Sequence, residues 1–388
     1  MIPRVRSVAL EAVVGGRLEE TSHGPILVAR HRYPLHHRQG SVPLGAVLET
    51  SPEILSLLSK SREGSPPPER LLYLDTETTG LAGGTGTYPF LVGAGFFEGG
   101  SFVVQQYFMR DLDEEPALLS ALYALLPRFQ GLVTYNGRAF DLTLLETRFV
   151  LARRTWPAVP WHLDLLPAAR RLWASYLSDC RLITVEAHAL GLRREDDLPG
   201  SLIPALYFQY LRLRHPDALP KLFAHNRQDL LSLVALVGWV GRALNEPERI
   251  PLSAEEYVGL GRLWERCSGE RSRQCYRAAL ARGLSTRERG RLLLRLADLA
   301  KRERRWGEAC ALWEAVIAGA VGFPLRPWEE LAKYYEHRSR DLPRASRVAI
   351  EALSRAHAAR VGPEALESLT HRLARLTRRL QATSASTA

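Results

Sequence analysis

The chain has 388 residues, of which 46% are hydrophobic, so it is long and apolar enough for two or more domains with buried cores. It contains no run of 18 or more apolar residues, and no apolar segment of a secretion signal follows Arg4 and Arg6, so we expect a cytoplasmic protein without a membrane span. The four cysteines form no C-x-x-C pair, which argues against a zinc site.

The net charge of +10 lies entirely in the last third of the sequence. Residues 251–388 contain 26 Lys and Arg against 16 Asp and Glu, whereas the first 250 residues contain 26 of each. Basic regions attract phosphate backbones, so this part of the chain is a candidate for nucleic-acid contact. The alternative is a solvated helical surface from a genome that favours Arg codons, since only four of the basic residues are Lys.

Residues 1–69 are predicted to form a small β-rich N-terminal element that ends in a linker. Apolar alternations such as residues 24–30 are broken by Gly and Pro, and residues 61–69 are rich in Ser and Pro. A cluster of three histidines lies here without any carboxylate or cysteine, so a surface loop is favoured over a metal site; the three are His31, His36 and His37.

Two acidic residues lie at the end of a predicted strand, residues 71–76. From Leu71 onward an apolar run reaches Asp75 and Glu77, then stops at small polar residues and Gly80. Alternation along a strand places both carboxylates on one face. With no Lys or Arg in the stretch, a divalent cation is the natural counter-charge, and acids that simply point into water are the alternative.

Two later segments carry further acids. Residues 131–145 are typical of a strand, a turn at Asn136-Gly137 and a helix with Asp141 in its first turn. In residues 222–233, helical spacing places His225 and Asp229 four residues apart on one face. The chain therefore offers four carboxylates and one imidazole as candidate site residues.

A mixed sheet of five strands with flanking helices is predicted for residues 70–245. Gly99-Gly100 makes the second and third strands a hairpin, and a helix and another strand follow. The strands are expected at 71–76, 90–98, 102–109, 131–135 and 161–165, and the helices at 114–129, at 141–153 and from 167 to 245.

The three motifs together resemble those of the DEDD 3′→5′ exonucleases, which have the ribonuclease H-like fold. They are Asp75-x-Glu77-Thr-Thr-Gly, then Asn136-Gly-x-x-Phe-Asp141-x-x-Leu-Leu, then a helix with a histidine four residues before Asp229. Residues 83–93 and 161–166 are similar to the bacterial YprB-like proteins, which join such a domain to tetratricopeptide-type repeats. The resemblance implies an α/β ribonuclease H-like domain over residues 70–245.

Residues 251–380 are predicted to form an all-α tetratricopeptide-like solenoid. Similar segments begin at Tyr257, Leu293 and Trp328, with starts 36 and 35 residues apart. This spacing is close to the period of about 34 residues and the W-x2-L-G-x2-Y pattern of tetratricopeptide helices. The concave face of a solenoid commonly binds a partner, so we expect a protein or nucleic acid there.

The resemblance implies a catalytic centre in which Asp75, Glu77, Asp141 and Asp229 hold two divalent cations, Mg²⁺ or Mn²⁺. His225 would orient or deprotonate the attacking water. The family's histidine subclass places its histidine five residues before the aspartate, whereas the separation of four found here is that of the tyrosine subclass. Whether His225 is a general base or only orients water stays open.

The resemblance also implies which residues contact the 3′-terminal nucleotide of a substrate. They lie after the first motif and in the second, at Thr78, Thr79, Gly80 and Asn136. Leu81 and Tyr135 are candidates for stacking or wedging against bases, and a core position is equally consistent with Tyr135.

The sequence therefore predicts a metal-dependent 3′→5′ exonuclease that hydrolyses phosphodiester bonds of single-stranded nucleic acid by a two-metal-ion mechanism. A structure-specific endonuclease would use the same carboxylates, and a non-catalytic nucleic-acid-binding adaptor is the alternative from a different class. The expected partners are single-stranded DNA or RNA and a protein bound to the repeat domain. DNA and RNA are not distinguished, because contacts to the 2′-hydroxyl depend on shape.

Overall fold

The computed structural model of the chain describes residues 10–61, 64–80, 84–157 and 159–385, with the side chains of 383–385 excepted. It divides into two compact units, Met1–Leu252 and Ser253–Ala388. None of the helices in the described ranges is both long enough and apolar enough to span a membrane.

The first unit is organised around one large sheet. Its described strands are β1 (Gly16–Thr21), β2 (Gly24–Pro34), β3 (Arg38–Gln39), β4 (Val42–Pro43), β5 (Leu71–Thr78), β6 (Pro89–Glu98), β7 (Ser101–Phe108), β8 (Gly131–Thr134) and β9 (Trp161–Asp164). Seven of them form the sheet in the order β1-β2-β7-β6-β5-β8-β9, while β3 and β4 form a separate pair. The neighbours from β1 to β5 are antiparallel, and β8 pairs in parallel with β5 and β9, so the sheet is mixed as predicted.

The sheet has two more strands than the five predicted, because β1 and β2 join it. β2 pairs with β7 from Leu27–Phe108 to Pro34–Ser101. Every residue of β7 except the first is buried, so without β2 this strand would leave a row of unpaired backbone groups at an apolar edge. The prediction of five strands is wrong, because the alternation of residues 24–30 indicates a strand but not the sheet that it joins.

Helices cover the sheet and its ends. In the described part of the first unit they are α1 (Leu10–Val14), α2 (Pro52–Ser59), α3 (Glu115–Leu125), α4 (Asp141–Leu151), α5 (Leu166–Trp173), α6 (Leu182–Val185), α7 (Ile203–Leu213) and α8 (Leu219–Asn245). A π-helical turn, Glu186–Leu190, directly follows α6. The helix predicted at 114–129 ends earlier, at Leu125, and continues as a 3₁₀ turn to Arg128.

The long helix α8 lies against the sheet and against the N-terminal part of the chain. It contacts β5, β6 and β7, and also the 3₁₀ segment Leu44–Glu49. A β-carbon at Gly241 would lie 2.2 Å from the hydroxyl of Thr50, and one at Gly238 would lie 2.9 Å from the backbone nitrogen of Val47. The two glycines therefore allow the N-terminal segment to pack directly on this helix.

The regular secondary structure described in the second unit is all α-helix. The helices are α9 (Ala254–Trp264), α10 (Gly269–Arg282), α11 (Thr286–Arg302), α12 (Trp306–Gly319), α13 (Leu325–His337), α14 (Leu342–Ala358) and α15 (Pro363–Ala385). They pair as α9 with α10, α11 with α12 and α13 with α14, and α15 packs on α14. The predicted helical C-terminal region is confirmed, whereas its tetratricopeptide type stays a prediction.

The repeated small residues lie where the helices come close together. A β-carbon at Gly261 would lie 2.2 Å from the ring of Tyr276, so glycine lets α9 and α10 approach each other. Ala297 and Ala332 occupy the corresponding positions of the next two repeats, and both are buried. The repeat in the sequence thus marks the contact surfaces of the helix pairs.

A buried carboxylate connects α13 to the last helix of the unit. The side chain of Glu336 is 1% exposed and accepts hydrogen bonds from Arg375 at 2.5 Å and from Arg379 at 2.7 Å. Arg372, also in α15, lies 3.5 Å from the same carboxylate. The three arginine side chains are partly exposed to water, whereas the carboxylate is not. The carboxylate would therefore lose the most if this contact were broken.

We expect the substitution Glu336→Ala to lower the free energy of unfolding by about 2 kcal/mol, because it removes the buried partner of α15. The matched control is Glu351→Ala, which removes an exposed i, i+4 pair with Arg355 and should cost less than about 0.5 kcal/mol. Urea unfolding followed by circular dichroism measures both. Equal losses in the two variants would contradict a structural role for the buried carboxylate.

Candidate metal centre

β5 brings two carboxylates to one side of the sheet. Asp75 and Glu77 are separated by one residue, so strand alternation turns both side chains the same way. Asp75 accepts a hydrogen bond of 2.8 Å from the side-chain amide of Asn226, and Glu77 is 8% exposed. The pairing of β5 with β6 changes register between Glu77 and Thr78, so the regular ladder ends just after the second acid.

The third carboxylate lies at the first residue of α4. Oδ1 of Asp141 accepts hydrogen bonds from the backbone amide of Thr76 at 3.1 Å and from its hydroxyl at 2.5 Å. These bonds hold the start of α4 against β5, beside the residue between the two acids of the strand. Its charge consequently acts on both Asp75 and Glu77.

α8 supplies the imidazole and the fourth carboxylate. Nε2 of His225 lies 3.8 Å from Oδ2 of Asp229 and 3.9 Å from Oε1 of Glu77. One ligand atom from each of these three residues lies within 4.8 Å of the others, which is close enough to share a metal ion. The five residues that the sequence predicts as catalytic therefore come together beside the end of β5.

Burial raises the pKa values of three carboxylates of the site, Asp75, Glu77 and Asp141, and neighbouring acids add to the effect. Desolvation, followed by the charges of Asp229, Glu77 and Asp141, raises the pKa of Asp75 well above its usual range. Desolvation and then the same neighbouring aspartates raise the pKa of Glu77. Burial raises the pKa of Asp141 to about 6. A divalent cation would relieve this repulsion, and a donor set dominated by carboxylate oxygens suits Mg²⁺ or Mn²⁺.

A neutral amide pair supports Asp75 and was not predicted from the sequence. The side chain of Gln106 in β7 donates to the side-chain oxygen of Asn226 at 2.9 Å, which leaves the amide nitrogen of Asn226 to donate to Asp75. A β-carbon at Gly93 would lie 2.3 Å from that side-chain oxygen, so glycine in β6 makes room for it. Gln106 was signalled by its place in the apolar strand β7, whereas Asn226 lies in the polar stretch 225–229, where nothing marks it.

A buried arginine holds the fourth carboxylate, and it too was missed. The side chain of Arg194 is 4% exposed; it donates to Glu186 at 2.8 Å and also to Asp229. Nη1 of the same guanidinium lies 3.1 Å from Asp197, whose other oxygen is 2.7 Å from Nδ1 of His225. The guanidinium of Arg194 thus links Asp229 directly, and His225 through Asp197, to the part of the chain that precedes α8. In sequence this arginine lies within a charged run, which is typical of a solvated loop.

The predicted nucleotide-contacting residues within the described ranges lie on two turns near these carboxylates. The Thr78 hydroxyl donates to the Gly80 carbonyl at 2.7 Å, and the Thr79 amide donates to the Tyr88 carbonyl at 2.9 Å. Both threonines are half-buried. These bonds shape the turn that follows β5. Leu81 lies outside the described residues.

The second turn contains Tyr135 and Asn136. The Tyr135 hydroxyl donates to the carbonyl of Cys180 at 2.5 Å, which ties the ring to the protein. Asn136 has a φ of 64°, and its backbone amide donates a hydrogen bond of 2.8 Å to the carboxylate of Asp164. Asp164 therefore shapes this turn, and it leaves the side chain of Asn136 half-buried beside the site.

Comparison with known proteins identifies the family and the fold of the chain. Residues 72–241, which include all five predicted catalytic residues, match a family model described as the RNase H superfamily. The chain is 31% identical over 370 residues to the uncharacterized protein YprB of Bacillus subtilis (strain 168), and the match covers 91% of this chain and 86% of that protein. The chain belongs to the YprB family. Its ribonuclease H-like fold is thus confirmed, and proteins of that superfamily generally hydrolyse phosphodiester bonds with the help of divalent metals.

A solved structure, the family B DNA polymerase of the archaeon Pyrobaculum calidifontis, overlaps 62% of this chain with a TM-score of 0.37 and 17% sequence identity. The overlap spans 30% of the polymerase chain. An overlay this loose supports no conclusion about activity. The DEDD exonuclease type of the YprB-family chain stays a prediction.

We expect Asp141→Asn to stabilise the metal-free protein at neutral pH. The folded-state pKa of about 6 lies above the usual 3.8, so the folded chain binds this proton more tightly than the unfolded chain does. The ionised carboxylate therefore costs stability above about pH 6 and costs nothing below about pH 4. The variant should gain up to about 3 kcal/mol at about pH 7.5 and nothing near pH 4.

Thermal unfolding in EDTA at both pH values measures this gain. Asn keeps the oxygen that accepts from Thr76, and the exposed Asp217→Asn is the control, which should change nothing. In saturating Mn²⁺ the order should reverse, because Asn is the poorer ligand. A variant that is less stable than the parent in EDTA at neutral pH would contradict a destabilising buried charge at Asp141.

We expect Arg194→Gln to lower the free energy of unfolding of the metal-free protein by about 3 kcal/mol, because Glu186 and Asp229 lose a buried cationic partner. Saturating Mn²⁺ should recover part of the loss, since the metal provides positive charge near Asp229. The neighbouring Arg193→Gln is the control, because Arg193 is exposed. Thermal unfolding with and without Mn²⁺ compares them, and equal behaviour of the two variants would argue against the buried network.

Proposed function

We propose that this protein is a metal-dependent 3′→5′ exonuclease that acts on single-stranded nucleic acid. The observation that carries the proposal is the meeting of Asp75, Glu77, Asp141 and Asp229 from three separate elements, with His225 beside them. A module that bound nucleic-acid strands without metal ions would gain nothing from mutual repulsion among buried acids. Such repulsion is useful in a site that captures cations, and this favours an enzyme over an adaptor.

The four carboxylates are proposed to hold two Mg²⁺ or Mn²⁺ ions. When bound, such a pair activates water and stabilises the leaving oxygen of a phosphodiester. The protein contributes by fixing its ligands before the metal arrives. Thr76 holds Asp141, Asn226 holds Asp75, and Arg194 holds Asp229.

His225 is proposed to accept a proton from the attacking water. Its Nδ1 lies 2.7 Å from a carboxylate oxygen of Asp197. Because a carboxylate can only accept, Nδ1 carries the hydrogen of this bond, and Nε2 of the neutral ring is left with a lone pair. That nitrogen faces Glu77 and Asp229. The arrangement makes Nε2 the proton acceptor on the side of the ring that faces the metal ligands. His225 and Asp229 lie on the same side of α8 because they are four residues apart.

The substrate is proposed to enter over the turns that contain Thr78–Gly80 and Asn136. Both turns are fixed by internal hydrogen bonds, to Tyr88 and to Asp164. Turns held by hydrogen bonds beside the metal ligands suit recognition of a strand end, which needs defined positions for the last nucleotide. The helical second unit is proposed to be a tetratricopeptide-type solenoid that binds a partner or nucleic acid.

The test is degradation of single-stranded DNA and RNA labelled at the 3′ or the 5′ end, with Mg²⁺ or Mn²⁺. We expect metal-dependent shortening from the 3′ end. Asp75→Asn and Asp229→Asn should each lower the rate by at least about 100-fold, because each removes a metal ligand. His225→Gln should lower it by about 100-fold if the ring transfers a proton.

Matched controls distinguish the alternatives. Asp217→Asn changes an exposed acid of the same unit and should keep full activity. A circular single strand has no 3′ end, so its cleavage would identify an endonuclease. Absence of any cleavage, with strand binding unchanged in the aspartate variants, would leave only the adaptor.

A further inference from the structure

The second unit carries a basic groove on the first helices of its three pairs. The groove, with a volume of about 930 Å³, extends from Arg262 in α9 across α11 to Arg326 in α13 and Arg338 in the turn that follows α13. Of the twelve described residues that line it, eight are Lys or Arg and two are Asp or Glu, which gives a formal charge of +6. We call this surface the basic groove.

Both acids of the basic groove are already paired within it. Glu265 accepts a hydrogen bond from Arg295 at 2.6 Å, and Asp298 accepts one from Arg326 at 2.8 Å. The remaining positive charge is therefore concentrated on other residues. Three of them are exposed and form no ion pair with any residue in the described part of the chain: Arg291, Arg302 and Arg304.

The arginines of the basic groove crowd one another. Nε of Arg262 is buried, and no described residue offers it a hydrogen-bond partner. Burial, followed by the charges of Arg295 and Arg291, lowers the pKa of this guanidinium. A polyanion in the groove would relieve this repulsion, which single carboxylates from the neighbouring helices do only in part.

One aromatic ring, that of Trp306, lines the same groove. Trp306, which is half-buried, stacks on Tyr334 with ring centroids 5.8 Å apart and planes at 27°. The guanidinium of Arg338 lies 5.2 Å from the centre of the Trp306 ring. Stacked aromatic and guanidinium groups beside a basic surface suit bases joined by phosphates, whereas an acidic peptide would use the charges alone.

We propose that the basic groove binds single-stranded nucleic acid, with its arginines on the phosphates and Trp306 stacked against a base. This rests on the proposed function and names the ligand of the second unit, which that proposal leaves open. Binding there does not require the carboxylate site, because the lining residues of the groove all belong to the second unit. DNA and RNA share the phosphate chemistry, so both are expected ligands.

The experiment measures binding of fluorescent oligo-dT and oligo-U of about 20 nucleotides to the full chain in EDTA, over a range of salt concentrations. The triple variant Arg291→Gln/Arg302→Gln/Arg304→Gln should bind both strands at least about tenfold more weakly. Its plot of log affinity against log salt should be shallower by about 2, since each phosphate contact to a single strand contributes about 0.7. Trp306→Leu should weaken binding by about tenfold without changing that slope.

The control is Arg347→Gln/Arg360→Gln/Arg378→Gln, which removes the same charge from exposed sites of the same unit outside the groove. The two sets are matched in backbone strain, because Arg304 has a φ of 58° and Arg360 a φ of 51°. The control should bind as the parent does. Because EDTA prevents cleavage, the result is independent of the nuclease assay.

Three outcomes would overturn the proposal. One is an equal loss of affinity in the groove variant and the control variant, which would show that binding depends only on the net charge of the unit. Another is binding of only one of the two strands, because the phosphate is common to both. The third is full displacement of the strand by a Glu-rich peptide of equal charge at equal concentration, which would make the groove a site for an acidic protein segment.

Discussion

Repulsion among buried carboxylates at the end of β5 is the constraint on which the first unit depends. Desolvation and neighbouring charges both disfavour ionisation of Asp75 and Glu77, and a chain free to relax would move them into water. The fold opposes this by giving three of the four acids a hydrogen-bonding partner of their own. An amide holds Asp75, a threonine holds Asp141 and a buried guanidinium holds Asp229. The free energy that keeps these charges together comes from the packed sheet and helices around them.

The acids themselves were predictable because each lies in a local pattern. Strand alternation places Asp75 and Glu77, a helix start places Asp141, and helical spacing joins His225 to Asp229. The strands and helices of residues 71–164 were also close to their predicted bounds. What the sequence pattern lacks is the partner of each acid. Asn226 reaches Asp75 across 151 positions of chain, and no periodicity encodes such a contact.

Two sets of charged residues also have partners that the sequence pattern does not reveal. Arg194 lies in a run of charged residues that resembles a solvated loop, yet its side chain is 4% exposed. In the second unit, the excess of arginine was evident from composition, but its location was not. Pairs such as Arg295 with Glu265 join residues on different helices, and these pairs decide which arginines are left without an acid. Composition gives the total charge of a segment, and tertiary structure gives the distribution of that charge over its surface.

The N-terminal segment also forms part of the scaffold of the carboxylate site. Gln39 donates to Ser232 of α8 at 2.9 Å, and the amide of Ser41 donates to Leu190, at the end of the turn that carries Glu186. Thr50 lies where a side chain at Gly241 would be. A fragment trimmed to the motif-bearing residues 70–245 would expose the part of α8 that packs on the N-terminal segment and would lose one neighbour of the Glu186 turn. The smallest autonomous folding unit that retains this chemistry must therefore begin well upstream of the first motif.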